Sequence, residues 1–179
     1  MPDENRLPEI QVLFIGTIEE LSDAIQPRNP QFTLFLAWDA LALDQAQLRK
    51  WMQPLVDRGL VYFCAWGREC KALHDAVDMC DIEPQKNSGN PDFFIMTTWH
   101  DDEPLEEALW FFQTLALPTE PPIVGNFDRF AVAVGNPQWA DEMSRFFLAS
   151  KAVKVKRERR FPLQGYHRFK PARNSARAA

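Results

Sequence analysis

The stretch LVYFCAWGRECKALHDAVDMC, residues 60–80, carries the pattern that decides the fold. Its first seven residues are apolar and β-prone, with the length and composition of a buried strand. Gly67 interrupts them. Cys70, Leu73, Val77 and Cys80 then recur at helical spacing, which predicts a helix over 68–80. Strand, turn and helix in that order make half of a βαβ unit.

The same alternation extends outward in both directions. Upstream, 10–15 (IQVLFI) and 32–38 (FTLFLAW) read as strands. A short helix over 19–26, stopped by Pro27 and Pro30, follows the first. A helix over 44–58 follows the second, with Leu48, Met52 or Trp51, and Leu55 on one face and Gly59 as its cap. Pro54 lies inside it, where a kink or an early end is expected. Downstream, 83–91 (EPQKNSGNP) consists almost wholly of turn formers and reads as a loop. A strand over 93–99 comes next, then a helix over 104–117 with an acidic first turn and the stripe Leu105, Ala108, Leu109, Phe112 and Leu115. A proline-broken passage, 118–127, leads to a strand over 130–134. Gly135-Asn136-Pro137 opens a last helix carrying Trp139, Met143, Phe146 and Phe147. Beyond Ser150, Val153 and Val155 alternate with lysines, and an edge strand, a continued helix and a loose tail all fit.

Five apolar strands, four of them followed by helical patterns, imply an α/β fold: a three-layer, doubly wound, mainly parallel five-stranded sheet. An order like that of flavodoxin is expected. The chain divides into one α/β domain, 1–150, and a basic C-terminal extension, 151–179.

The totals agree with a globular domain. The chain has 179 residues, 46% of them hydrophobic, enough to bury a core and too many for a disordered chain. No apolar run approaches the roughly 20 residues that span a bilayer, so no membrane role is expected. The polar, acidic start (MPDENRLPEIQ) lacks the basic and apolar regions of a secretory signal. Three cysteines, Cys64, Cys70 and Cys80, make no disulfide framework, and a cytoplasmic location is expected. The net charge of −5 is unevenly spread. Residues 151–179 hold ten Lys/Arg and one Glu, a balance of +9, whereas the other 150 hold ten and 24, or −14. Such a tail can bind an anion or nucleic acid, fold back on the acidic body, or stay solvated. It lacks any sharper nucleic-acid motif.

Ligands of open α/β sheets bind beyond the carboxyl ends of the strands. Three of those ends carry tryptophan: Trp38-Asp39, Trp66-Gly67-Arg68-Glu69 and Trp99-His100-Asp101-Asp102. Their indoles either line one crevice, stacking a planar or cationic ligand, or close the core at the sheet's edge. The ligand-binding candidates are therefore Trp38, Asp39, Trp66, Arg68, Glu69, Trp99 and Asp102. No Gly-x-Gly-x-x-Gly, Walker A or Gly-x-Ser-x-Gly sequence occurs, so no cofactor is expected.

A catalytic set is also conceivable. Cys70, in the first turn of its helix, suits a thiolate nucleophile, with His74 or His100 as base and Asp101 or Asp39 orienting it. The same cysteine equally fits a buried small hydrophobe beside Leu73 and Val77. A metal set of Cys70, His74 and Asp78, completed by His100 or Asp101, lacks the usual ligand spacings, and no metal is expected. Asp101, Asp102 and Glu103 also suit the capping of the helix they precede. Trp110-Phe111 partly escapes its helix's core stripe, as a surface for a protein partner would.

The segments CAWGRECKALHD and IMTTWHDDEPLEEALWFF resemble a small family of uncharacterised bacterial proteins, a domain of unknown function, over residues 60–112. The resemblance implies a bacterial cytoplasmic protein and brings no activity, cofactor or assigned residues. The reading as a whole favours a binding or interaction module working through the Trp-bearing edge. A Cys70-dependent hydrolase or transferase is the alternative.

Overall fold

The computed structural model describes residues 7–40, 43–88, 95–118 and 127–158, of which 81–88 and 151–158 as backbone alone. Five strands, β1 (Ile10–Ile15), β2 (Gln31–Ala37), β3 (Leu60–Trp66), β4 (Met96–His100) and β5 (Phe127–Val134), form one sheet. All four pairings are parallel, and the order is β1-β5-β2-β3-β4. The α/β class is as expected. The flavodoxin order, 2-1-3-4-5, is not the one found. The observed order becomes that one if counting starts at β5, so the two sheets differ by a circular shift of the chain.

The shift fixes where the helices go. β1→β2→β3→β4 travels in one direction across the sheet, and right-handed crossovers place α1 (Leu21–Ala24), α2 (Gln45–Asp57) and α3 (Cys70–Ser88) on one face. The step from β4 back to β5 reverses direction. It puts α4 (Leu105–Thr114) on the other face, where α5 (Pro137–Glu158) joins it.

Each face has its own core. Ile15, Leu34, Leu36, Phe63 and Val132 meet Leu21, Leu48, Met52, Leu55, Leu73 and Val77 beneath the first three helices. Phe35, Tyr62, Cys64 and Ala133 meet Leu105, Leu109, Phe112, Met143 and Phe147 on the second. β5 is buried along its whole length, as a central strand with both faces covered must be. α2 begins with a capping box, Gln47 N–H donating to Asp44 Oδ1 at 2.8 Å. It runs straight through Pro54. Arg58 wraps its end, donating to the Pro54 carbonyl at 3.1 Å and the Ile25 carbonyl at 2.9 Å. Gly59 turns the chain at φ +98°, where a Cβ would lie 2.0 Å from the Pro30 carbonyl oxygen.

Some boundaries depart from expectation. α3 continues to Ser88, through most of the turn-rich 83–91 stretch, because Glu83, Gln85 and Lys86 are good helix formers around the single proline Pro84. Residues 89–91 lie outside the described residues, as do 119–126 of the proline-broken passage. β4 starts at Met96 and ends on His100, and β5 begins three residues early, at Phe127. α5 continues to Glu158, so the first residues of the basic extension are helical.

Arg129 is the conspicuous buried charge. Its side chain is 2% exposed on β5, and its Nη2 donates to the Phe112 carbonyl at 2.5 Å and the Gln113 carbonyl at 3.3 Å. The guanidinium carbon sits 5.0 Å from the centre of the Phe112 ring. Burial lowers its pKa to about 10, so it is still a cation at neutral pH. Nearby Cys64, pushed up to about 12 by burial, is then a neutral thiol, and the carbonyls at the negative end of α4 answer the charge instead. Arg129→Ala removes those donors and leaves a cavity, and should cost about 3 kcal/mol or more in urea denaturation. A loss below about 1 kcal/mol would show that α4 is held by packing alone.

Candidate functional site

The carboxyl ends of the strands do gather polar and aromatic groups, but not in one crevice. Register decides this. Ala37 pairs with Trp66, and Ala65 pairs with Trp99. Trp38, one residue past Ala37, therefore turns to the opposite face from Trp66. Trp38 packs on the core beneath α1–α3, edge to face with Trp51 at 6.0 Å. Trp66 packs beneath α4 and α5, edge to face with Trp139 at 5.2 Å, its indole N–H donating to the Glu103 carbonyl at 2.9 Å. Trp99 stands on the edge strand and is 42% exposed. Its ring meets His74 at 4.6 Å, with the Lys71 ammonium 5.6 Å from its centre.

The sheet's reversal point lies between β5 and β2, whose following helices leave to opposite faces. The side chains there are tied into their own loops. Asp39 Oδ1 accepts from Arg68 N at 2.9 Å, and Oδ2 accepts from Arg68 Nη2 at 2.8 Å. Gly67 meets this loop so closely that a Cβ would lie 2.5 Å from the Trp38 carbonyl oxygen. Asn136 Oδ1 caps α5, accepting from Gln138 N at 3.0 Å. Glu69, exposed, holds the turn with a φ of +60°.

The proposed catalytic residues are distributed over both faces. Cys70 is fully buried in the core cluster with Leu73 and Val77. Burial raises its pKa, against the pull of the His100, Cys70 and Lys71 backbone amides, and Asp101 adds to the rise. The groups donating to its sulfur are thus amides rather than an imidazole. His74 Nδ1 lies 3.1 Å from Asp75 and 3.7 Å from Asp78, with its ring packed on Trp99. His100 points to the other face. Among the described residues no three His, Cys, Asp or Glu side chains approach as metal ligands.

His100, itself buried, belongs instead to a part-buried chain of hydrogen bonds. Its Nδ1 lies 3.1 Å from Glu103 Oε2 and its Nε2 3.2 Å from Thr98 Oγ1, which is 3.3 Å from Cys64 Sγ. The carboxylate only accepts, so His100 Nδ1–H donates to it, while the Thr98 hydroxyl donates to Cys64 Sγ. Hydroxyl, imidazole and carboxylate in that order resemble an acyl-transfer relay. Here, however, the hydroxyl turns inward to the buried thiol, and the arrangement braces β4 against the start of α4. Sequence spacing hides Thr98 and gives only one hint of Glu103, three residues after the histidine. Asp101 and Asp102 are exposed, and the N-cap of α4 is Pro104, without a side-chain cap.

Glu103 also borders an open groove of about 700 Å³ on the second face, between α4 and α5. Trp110, Phe111 and Phe146 form its apolar walls, and Glu103, Glu106 and Glu107 its rim. Trp110 is 55% exposed. A smaller recess of about 390 Å³ adjoins it along Glu106 and Phe146, reaching Glu142 and Arg145. Phe146 reads from sequence as a core residue, yet it only half-enters the core and lines both hollows.

One electrostatic consequence is measurable. Burial alone would raise the Asp39 carboxyl, but the hydrogen bonds and charge of Arg68 outweigh it and hold the pKa below the ordinary value. A depressed carboxylate stabilises the fold above about pH 4, and that contribution is lost as the pH falls through the folded-state value. Asp39→Asn should therefore be less stable than wild type at pH 7, by no more than about 1 kcal/mol since Arg68 is largely exposed. In urea titrations the two proteins should converge as the pH falls through the point at which Asp39 protonates in the folded state. A gap that does not change with pH would assign the effect to packing.

Among the described residues no helix is long and apolar enough to cross a membrane. No curated protein and no solved structure matches the chain. The family model for the domain of unknown function DUF7684 matches residues 10–150, nearly the whole α/β unit from β1 to α5, and the chain belongs to that family.

Proposed function

We propose that this domain is a protein-interaction module whose binding face is the groove between α4 and α5. The observation that carries the reading is the pairing of exposed aromatic surface with a single-sign rim. Trp110, Phe111 and Phe146 present apolar area of the kind that anchors interfaces. Glu103, Glu106 and Glu107 surround it with negative charge, which selects a basic partner and steers its approach. The partner of matching chemistry is a peptide segment that alternates Lys/Arg with aromatic or large aliphatic side chains. Trp99, with Lys71 above it, is a second exposed aromatic at the sheet's carboxyl edge. It lies on the other face and acts separately.

The bacterial, cytoplasmic setting implied by the sequence resemblance goes with this reading. The three cysteines, all free and buried, support a reducing compartment. Burial of Cys70, and the inward turn of Thr98, favour binding over nucleophilic catalysis.

Random-peptide display on a chain ending after Glu158 tests the proposal. All the buried core side chains of both clusters lie between Ile15 and Phe147, so that chain keeps its core. Enriched peptides should be basic and aromatic. Their affinity should fall at least tenfold with Trp110→Ala and with the double change Glu106→Lys, Glu107→Lys. No enrichment, or binding indifferent to Trp110→Ala, would remove the groove from the account.

A further inference from the structure

The chain itself contains a segment with the chemistry that the groove selects. Residues 159–179, RRFPLQGYHRFKPARNSARAA, hold six Lys/Arg and no Asp or Glu. Phe161, Tyr166 and Phe169 are spaced among those charges. We infer that this segment is the groove's own occupant, in cis, so that the domain is closed to other basic peptides until the segment is displaced. The inference rests on the peptide-binding reading of the groove and adds its regulation.

Three observations converge on this occupant. The first is charge. The groove rim is wholly acidic, Asp101 and Asp102 are exposed just before it, and the segment is wholly basic. Opposite charges within a Debye length of about 8 Å attract at physiological salt. The second is apolar fit. Trp110 and Phe146 offer ring faces and edges on which Phe, Tyr and the flat guanidinium of Arg all stack.

The third is reach. Phe146 lies on α5, which ends at Glu158. The twelve residues between them advance about 18 Å at 1.5 Å each. A chain returning at about 3.3 Å per residue covers that distance in about six residues. Leu163 to Phe169 then arrive beside Phe146 with length to spare. A tether this short gives an effective concentration of order millimolar, so even a weak contact stays occupied.

The experiment uses the full chain carrying p-benzoylphenylalanine in place of Tyr166, irradiated and mapped by mass spectrometry. Cross-links are expected on residues 103–111 and on Phe146. They should fall at least fivefold in 1 M NaCl and at least tenfold with Glu106→Lys, Glu107→Lys, both exposed positions, in a variant whose thermal unfolding should match that of wild type. Mixing heavy- and light-isotope chains before irradiation should yield no more mixed products than chance collision gives. Cross-links elsewhere, indifference to charge reversal, or mainly mixed products would each overturn the inference. If the displayed peptides still bind in a Trp110-dependent way while the cross-links fail, the segment is not the occupant and the groove reading stands. If the displayed peptides fail too, both fall.

Discussion

The second layer of this protein hangs on a buried cation that is met by helix carbonyls and, among the described residues, by no anion. Arg129 reaches from the central strand β5 to the last carbonyls of α4, and its guanidinium lies against the Phe112 ring. A charge taken out of water is costly unless its donors are met, and here the partial negative charge of a helix end meets them in part. Its Nε and the hydroxyl of Thr33, the β2 residue paired with it in register, have no hydrogen-bond partner among the described residues. The site therefore tolerates little displacement. α4 crosses back over three strand positions to reach β5, and among the described residues α4 and α5 are the helices that cover this face. Fixing the far end of α4 at Arg129 and its near end at the His100–Glu103 contact sets the whole helix against the sheet. The same two attachments turn Trp110 and the glutamates outward. The groove is thus a by-product of how α4 is held.

Much of the fold could be read in the sequence, because local periodicity reports burial. Of the stripe Leu105, Ala108, Leu109, Phe112 and Leu115, the first four are buried as their spacing implies, while Leu115, past the end of α4, is 53% exposed. Leu48, Met52 and Leu55 are buried as well. Strand order could not be read, since the apolar run of β5 looks the same in the middle of a sheet as next to an edge. The three tryptophans show the same limit. Their matching places at strand ends suggest a shared crevice, but a one-residue difference in register sends Trp66 to the opposite face from Trp38 and Trp99. Pairing between strands sets that difference, and no single segment records it.

The candidate site was legible only in part. Trp110-Phe111 shows in the sequence as apolar area that overflows a core stripe, and in space those residues line the groove between α4 and α5. Cys70 stands at a helix start, where dipoles favour a thiolate, yet the close packing of the first core encloses it. The residues missed, Thr98 and Phe146, are ordinary in sequence and take their roles from neighbours distant in the chain. Arg129 is a harder case. The strand read from the sequence begins at Phe130, just past the arginine, and the position of α4 explains why Arg129 is drawn into it and buried.

The strand order has a consequence for how the protein is made. β5 supplies the hydrogen-bonding edge that both β1 and β2 need, yet 89 residues separate the end of β2 from its start. At about 5–20 residues per second of synthesis, the ribosome adds that stretch in roughly 5–20 seconds. Throughout that interval β2 presents one edge, and β1 has no neighbour at all. A nascent chain in this state is a target for chaperones and a hazard for its own copies on the same message. Synthesis rate before Phe127 thus becomes a variable in the yield of folded protein.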